Sequence, residues 1–384
     1  MGGWLVWWFR SPPYYRPAAV ADFATINHTR KQYFANVLIG SEVRKAADPT
    51  PTNFRTRTLA AACIAVALIA GFAARAEDPV RIAQAHNATV GLIGGSFGST
   101  DSRIVSEMAE VLNDDTRLRV LPMLGQGSVQ NLADLTFLKG VDVAIVHTDA
   151  MTQAAQGKTI PRIESVEYIA KLFQEEVHVL AQSGIASLAD LAGKPVEVGP
   201  PGSSTALTAG LLLNALHIAP DARQDLPSVA LDRLRLGMVA AMVVVGGEPV
   251  PDLLQIPPAS GLHFVPIPLN AHLVDAYLPG SLDSRYYPSL VPPGPPVDTV
   301  AVGAILVTLA APTGSDRAKR VNRFVDALFD RFDLLRHPGF HPKWHDVNLS
   351  AQIPGLRRYG EAEKRLREPP NETAEQPRER HSGP

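Results

Sequence analysis

The sequence predicts an α/β fold with two lobes, each a mostly parallel sheet flanked by helices. From Thr89 onward, short apolar strands alternate with helical patterns, which is typical of parallel sheets. The chain has 384 residues, of which 46% are hydrophobic and 19% charged, enough for two ordinary domains. Two strand–turn–helix units of the same design, residues 89–112 and 195–216, begin about a hundred residues apart, which suggests one unit in each lobe.

Both units have a turn rich in Gly, Ser and Thr at the start of the helix. Free backbone N–H groups and hydroxyls meet the positive end of the helix dipole there, so each turn is a candidate site for an anionic ligand. The alternative is ordinary helix capping. The candidate ligand residues are Gly95, Ser96, Ser99 and Thr100 on the first turn, and Gly202, Ser203, Ser204 and Thr205 on the second.

The remaining elements follow from apolar runs and capping patterns. Strands are predicted at 117–122, 141–146, 168–173, 177–181, 239–245, 262–267 and 298–309. Helices are predicted at 127–137 (starting at Ser128), 187–193, 270–277 and 315–335. Residues 279–296 are proline-rich and predict an irregular loop, and the charged tail 367–384 predicts disorder.

Further candidate ligand residues lie at strand and helix ends on the predicted cleft edge. Ser128 opens a helix, and His147, Thr148 and Asp149 end a buried strand, although Asp149 could simply cap the next helix. Gly246 and Gly247 allow close backbone approach, or only form a turn. Tyr286, beside Tyr287, is a candidate lid residue whose alternative is plain packing.

The sequence predicts no metal, cofactor or catalytic site. His337, His341 and His345 have four-residue spacing, but prolines and a glycine between them break the helix that would align them. Residues 202–206 (GSSTA) only approximate a hydrolase nucleophile elbow, and the turns lack the P-loop and dinucleotide-binding patterns. A secreted serine hydrolase therefore remains a minor alternative.

The N-terminal segment predicts export. Arg55 and Arg57 precede an apolar run, 59–73, and Ala74-Arg75-Ala76 fits a signal-peptide cleavage site after Ala76. Residues 55–76 would be the signal peptide, an uncleaved anchor being the alternative, and the protein would be periplasmic. Residues 1–54 do not suit a position before a signal peptide, so we expect a non-native leader from a misassigned start, a disordered segment being the alternative. Cys63, the only cysteine, would be removed.

The charge of the expected mature chain argues against a nucleic-acid partner. Residues 77–384 contain 27 Lys and Arg against 35 Asp and Glu, a net charge of −8. Nucleic-acid binding favours a basic face.

Residues 188–205 (LADLAGKPVEVGPPGSST) resemble the signature of TAXI-type solute-binding proteins, the receptors of one branch of the TRAP transporters. Weaker matches are 125–131 (GQGSVQN), 141–146 (VDVAIV), 245–249 (VGGEP) and 300–308 (VAVGAILVT). The resemblance covers about residues 89–366. The first turn departs from the Gly-Thr-Gly-Gly-Thr-like run expected in this family.

The resemblance implies a type II periplasmic-binding-protein fold, in which a two-strand hinge joins the two α/β lobes. Its first lobe would comprise residues 77–180 and 263–366, its second 181–262, and its crossovers would fall near 177–180 and 264–266. The function implied is a receptor that binds a small organic anion or amino acid, a dicarboxylate or glutamate, and delivers it to TRAP permease subunits. A receptor for an ABC importer or a sensor kinase is the alternative.

Overall fold

The computed structural model describes residues 88–114, 117–158 and 160–368. The sequence predictions for the leader, the signal segment with Cys63 and the tail beyond residue 368 lie outside these residues. In the described part, no helix is long and apolar enough to cross a membrane.

The first half of the chain forms three strand–helix units. The strands are β1 (Thr89–Ile93), β2 (Arg119–Met123) and β3 (Val143–His147), followed respectively by helices α1 (Thr100–Leu112), α2 (Ser128–Phe137) and α3 (Thr148–Gly157). β1 pairs in parallel with both β2 and β3. All five residues of β3 are buried, as expected for a central strand covered on both faces.

The second half contains the remaining elements. The strands are β4 (Val166–Gln182), β5 (Pro195–Glu197), β6 (Asp221–Arg223), β7 (Ala241–Gly246), β8 (Leu262–Phe264), β9 (Leu278–Leu282) and β10 (Val297–Leu309). The helices are α4 (Ser204–Ala215), α5 (Pro227–Arg235), α6 (Pro251–Leu254), α7 (Asp316–Arg331) and α8 (Gly360–Arg367). Short 3-10 segments lie at Ile163–Ser165, Leu188–Leu191, Phe332–Arg336 and Pro342–Asp346.

The described strands form one ten-stranded sheet in the order β2-β1-β3-β10-β4-β7-β5-β6, with β8 on β4 and β9 on β10. β4 and β10 are long antiparallel neighbours that run through both halves of the sheet. On either side of them the outer strands pair in parallel. This is the two-lobed α/β arrangement expected for the type II periplasmic-binding-protein fold.

The hydrophobic core changes lobes within the two long strands. On β4, Phe173 packs in the first lobe, whereas Val177 packs in the second. On β10, Val302 packs in the second lobe and Ala304 in the first. We call this crossing point, residues 174–176 of β4 with residue 303 of β10, the changeover.

Several elements differ from the sequence predictions. The two strands expected at 168–173 and 177–181 are one continuous strand, because backbone pairing runs through the acidic residues that interrupt its apolar pattern. β10 pairs with both Glu175 and Glu176, and β7 pairs with β4 from Glu176 onward. Residues 270–277 form consecutive turns rather than a helix, and the Asn270 carboxamide oxygen accepts a hydrogen bond from the His272 N–H. The first residues of the loop expected at 279–296 belong instead to β9, which begins at Leu278 and pairs with β10.

The return passage between the lobes also lies later in the chain than residues 264–266. Val265, Ile267 and Tyr277 pack in the second-lobe core, as do Leu282 and Leu290. The return passage is therefore β10, and on this packing the second lobe extends beyond residue 262 to the changeover at residue 303.

Candidate functional site

A serine in each of the two predicted Gly/Ser/Thr-rich turns caps the helix that follows it. The Ser99 hydroxyl accepts a hydrogen bond from the Ser102 N–H at 3.2 Å, and the Ser203 hydroxyl accepts one from the Ala206 N–H at 3.1 Å. In both cases the side-chain oxygen satisfies one of the donors that every helix start leaves free. Ser99 and Ser203 therefore cap their helices, and the ligand-binding role of these turns stays a prediction.

The starts of α2 and α4 meet across the two lobes. The Ser128 N–H donates to the Ser204 hydroxyl at 3.0 Å, and the two hydroxyl oxygens lie 2.9 Å apart. Behind them, the Ser128 hydroxyl accepts the His147 N–H at 2.9 Å. A methyl group on Gly127 would lie only 2.5 Å from the Ser204 nitrogen, so the two backbones are in direct contact.

Two further polar contacts cross between the lobes. Thr208 of α4 donates its hydroxyl to the Asp149 carboxylate of α3 at 2.6 Å. The Thr100 hydroxyl at the start of α1 accepts the Gly247 N–H at 3.0 Å. Together with Ser128 and Ser204, these contacts define what we call the interlobe seam, which is closed in this structure.

Two other predicted residues bond to the backbone of neighbouring strands beside the seam. The Thr148 hydroxyl accepts the Gly303 N–H at 3.2 Å, next to the changeover, and the Thr205 hydroxyl accepts the Val245 N–H at 3.2 Å. Gly247 packs tightly, since a methyl group there would lie 2.8 Å from the Lys343 side chain. At Gly246 a methyl group would have more room, since its nearest neighbour would be the Val250 side chain at 3.2 Å.

The remaining predicted residues make no described hydrogen bond across the seam. Ser96 and Gly202 are exposed, and Gly95 is buried against the Ser99 hydroxyl. Tyr286 is partly exposed, packs against the second-lobe core and lies under the Arg285 guanidinium. Its neighbour Tyr287 is buried and bonds to Val250 and His178, which is a structural use.

A buried charged cluster lies directly behind the seam, and the sequence did not predict it. Nε2 of His147 lies 3.0 Å from the Glu175 carboxylate and 3.3 Å from the Asp101 carboxylate. Each of the three side chains is at most 7% exposed. Asp101 comes from the first turn of α1, His147 from the end of β3, and Glu175 from the changeover on β4. The available sequence signal was a pair of glutamates inside an otherwise apolar segment.

Burial and mutual repulsion perturb this cluster. Burial raises the pKa of Glu175 to about 7, and the Asp101 carboxylate adds to the rise while His147 opposes it. For His147, burial lowers the pKa, but the attraction of Glu175 and Asp101 outweighs it and the pKa lies well above its ordinary value. The cluster therefore binds positive charge strongly.

The next residue, Glu176, extends the buried charge into the C-terminal segment. Its carboxylate pairs with the Lys343 ammonium and accepts the Glu248 N–H at 3.1 Å. Burial and the nearby Glu176 raise the pKa of Glu248 to about 7. Beside Lys343, the buried Trp344 indole donates to Glu107 of α1 at 2.7 Å, so this segment connects α1 with the changeover.

The three histidines with four-residue spacing, 337, 341 and 345, differ in burial. Only His341 is buried, and its Nδ1 accepts the Lys343 N–H at 3.2 Å. Burial lowers the pKa of His341 to about 4. His341 therefore caps the 3-10 segment that places Lys343 and Trp344.

Solved structures similar to this chain include several binding proteins and a regulator. MatC from Rhodopseudomonas palustris with bound malate is 18% identical, with 65% of this chain and 86% of that chain covered and a TM-score of 0.41. The alkanesulfonate-binding protein SsuA from Xanthomonas axonopodis pv. citri, bound to MOPS, is 16% identical, with 65% and 74% covered and a TM-score of 0.40. CbnR, a LysR family transcriptional regulator, is 14% identical, with 80% and 90% covered and a TM-score of 0.38.

These likenesses are too distant to transfer a ligand. The family assignment rests instead on the sequence model of the NMT1-like family, which matches residues 93–355, more than half of the chain. That range includes the helix starts, the interlobe seam and the changeover. The chain belongs to the NMT1-like family.

Proposed function

We propose that this protein is an extracytoplasmic solute receptor that binds a small organic anion or amino acid between its two lobes. The observation that supports the proposal most strongly is the direct meeting of the α2 and α4 helix starts through Ser128 and Ser204. Helix starts offer N–H donors and positive potential, which suit a carboxylate. A ligand carboxylate would take over the donors that the two serines now share.

The chemistry of the seam also favours a ligand class. Asp149 is buried on the seam, where its carboxylate accepts from Ala150 and Thr208. A carboxylate beside hydroxyl and N–H donors suits a ligand that has an ammonium group as well as an acid group. An amino acid such as glutamate is therefore the first candidate, and a dicarboxylate the second.

The role we propose is binding without chemistry. The Ser204 hydroxyl bonds to Ser128, and no histidine is among its hydrogen-bond partners within residues 88–114, 117–158 and 160–368. A serine nucleophile needs a base at hydrogen-bond distance. Esterase activity that disappears in Ser204→Ala would contradict this proposal.

The test measures ligand binding, by calorimetry and by the shift in unfolding temperature, across a panel of organic acids, amino acids and sugars. Ser204→Ala should weaken binding of the active compound by about tenfold, because a lost buried hydrogen bond costs about 1 kcal/mol or somewhat more. Ser203→Ala should weaken it too, through the α4 helix start.

Ser315→Ala is the matched control for Ser203→Ala. Ser315 caps α7 with the same hydrogen bond, its hydroxyl accepting the Ala318 N–H at 3.3 Å. Both variants should lose about 1 kcal/mol of stability, but only the α4 variant should lose affinity. Unchanged affinity in both Ser203→Ala and Ser204→Ala would remove the second turn from the binding site.

The TRAP permease is the membrane partner that we propose, on the resemblance of residues 188–205 to TAXI-type receptors. Ligand uptake by membranes containing such a permease should require this protein. Uptake that instead depends on an added ATPase subunit would favour an ABC importer.

A further inference from the structure

Three buried side chains behind the seam have the arrangement of metal ligands. One donor atom from each of Asp101, His147 and Glu175 can be chosen such that all three lie within 4.8 Å of one another. An imidazole with two carboxylates is a donor set that suits Zn²⁺ and similar divalent transition metals. The three residues come from a helix, a strand end and the long hinge strand, so the fold and not a loop holds them together.

The measured separations agree with those around a small cation. Ligands about 2.0–2.1 Å from a tetrahedral zinc ion lie about 3.3 Å from one another. The corresponding distances from His147 Nε2 are 3.0 Å to Glu175 and 3.3 Å to Asp101. The third pair, between the two carboxylates, is no wider than 4.8 Å.

Two polar atoms in this group have no partner in the protein. Among the described residues, neither Nδ1 of His147 nor Oδ1 of Asp101 makes a hydrogen bond. Nε2 of His147 lies at ion-pair distance from both carboxylates. Buried polar atoms normally have partners, so the unpartnered Asp101 oxygen beside this nitrogen indicates a missing one.

The charge of the region points to the same partner. Four buried carboxylates, on Asp101, Glu175, Glu176 and Glu248, adjoin one another. The buried cationic groups among them are the Lys343 ammonium and the His147 imidazole, so the carboxylates are in excess by two. Unpaired buried charge is strongly unfavourable. A divalent cation would neutralise most of the excess.

We propose that Asp101, His147 and Glu175 bind one divalent transition-metal ion of the Zn²⁺ type. The ion joins α1 and β3 to the changeover on β4, and its site lies directly behind the seam, where the His147 N–H donates to the Ser128 hydroxyl. The proposal does not depend on the identity of the solute.

The experiment uses the tag-free chain, stripped with EDTA and titrated with ZnCl₂ and, separately, MnCl₂. We expect one equivalent of Zn²⁺ to remain bound after gel filtration. In excess metal, the midpoint temperature of unfolding should rise by several degrees. Glu175→Gln and Asp101→Asn should each weaken Zn²⁺ binding more than about tenfold, as should His147→Gln.

The carboxamide variants also separate a metal site from a misfolded protein. Removing one of several crowded buried carboxylates should leave metal-free Glu175→Gln at least as stable as the metal-free parent, while the stabilisation by Zn²⁺ disappears. Glu197→Gln is the matched control, because Glu197 is a buried carboxylate of the second lobe, away from the cluster, and accepts the Asp225 N–H. That control should keep full metal binding.

Two results would overturn the proposal. One is the absence of Zn²⁺ and Mn²⁺ binding by the folded, stripped chain. The other is binding that survives all three cluster substitutions and is lost in the double variant His337→Ala/His345→Ala, which would assign the metal to the surface histidines.

Discussion

The Tyr287 hydroxyl joins three segments of the second lobe. It accepts the Val250 N–H at 2.8 Å and lies 2.9 Å from Nε2 of His178. Nδ1 of His178 lies 3.0 Å from the Glu176 carbonyl, so Nδ1 holds the proton and Nε2 accepts from the tyrosine. Burial lowers the pKa of His178 to about 4, which keeps the ring neutral.

Tyr287→Phe should therefore lower the free energy of unfolding by about 1–3 kcal/mol, because the Val250 N–H and the His178 ring both lose a buried partner. Urea denaturation measures the effect. Tyr286→Phe is the control, since its ring is partly exposed and it should change stability by less than about 0.5 kcal/mol. Equal losses in the two variants would contradict the assignment.

Among the secondary-structure elements, α2 and α4 have the closest approach that is relevant to function. Gly127 precedes α2 with an extended backbone, φ 168°, so a side chain there causes no backbone strain. A Cβ would nevertheless lie 2.5 Å from the Ser204 nitrogen and 2.6 Å from the Gly202 oxygen. Lobe closure therefore depends on the absence of a side chain at this position.

Gly127→Ala should hold the lobes apart, which would increase the radius of gyration in small-angle scattering and weaken solute binding. Gly210→Ala is the control, because a methyl group on this α4 glycine meets no atom within 4 Å. It should leave closure intact and add up to about 1 kcal/mol of stability. An unchanged scattering profile in Gly127→Ala would show that closure tolerates the methyl group.

Sequence reasoning recovered the elements whose signal is local. The alternation of strands and helices and the start of α2 at Ser128 both follow from neighbouring residues, and both are confirmed. The continuity of β4 was missed, because Glu175 and Glu176 interrupt an apolar pattern that only pairing with β7 and β10 sustains.

Only the part of the candidate site that has a local sequence signal could be predicted. Turns that start helices are visible in the sequence, which is how Ser128 and Ser204 were found. The Asp101, His147 and Glu175 cluster needs contacts between residues up to 74 positions apart, and an isolated acid or imidazole in a sequence does not identify its partner. The later return through β10 also depends on long-range packing.

For the molecule as a whole, the buried acids set an unusual dependence of stability on pH. The pKa of Glu248 is raised from 4.5 to about 7 by burial and by Glu176. The folded state therefore binds its proton more tightly than the unfolded state does. The stability that Glu248 contributes is present below about pH 4.5 and is lost as the pH rises to about 7.

Glu248→Gln should remove that loss. Relative to the parent, the variant should gain about 1–2 kcal/mol in free energy of unfolding between pH 5 and pH 8. Urea denaturation in EDTA at the two pH values measures the difference. Glu110→Gln, on the exposed face of α1, should show no such gain, and a gain of the same size there would contradict the assignment to burial.

The hydrogen bond of Trp344 to Glu107 also has an optical consequence. Trp344 is the only tryptophan of the chain apart from Trp4, Trp7 and Trp8. Once those three residues are absent, light absorbed at the red edge of the protein spectrum excites one indole, and that indole neighbours the Lys343 that pairs with Glu176. Its emission therefore reports directly on the changeover, without any attached dye.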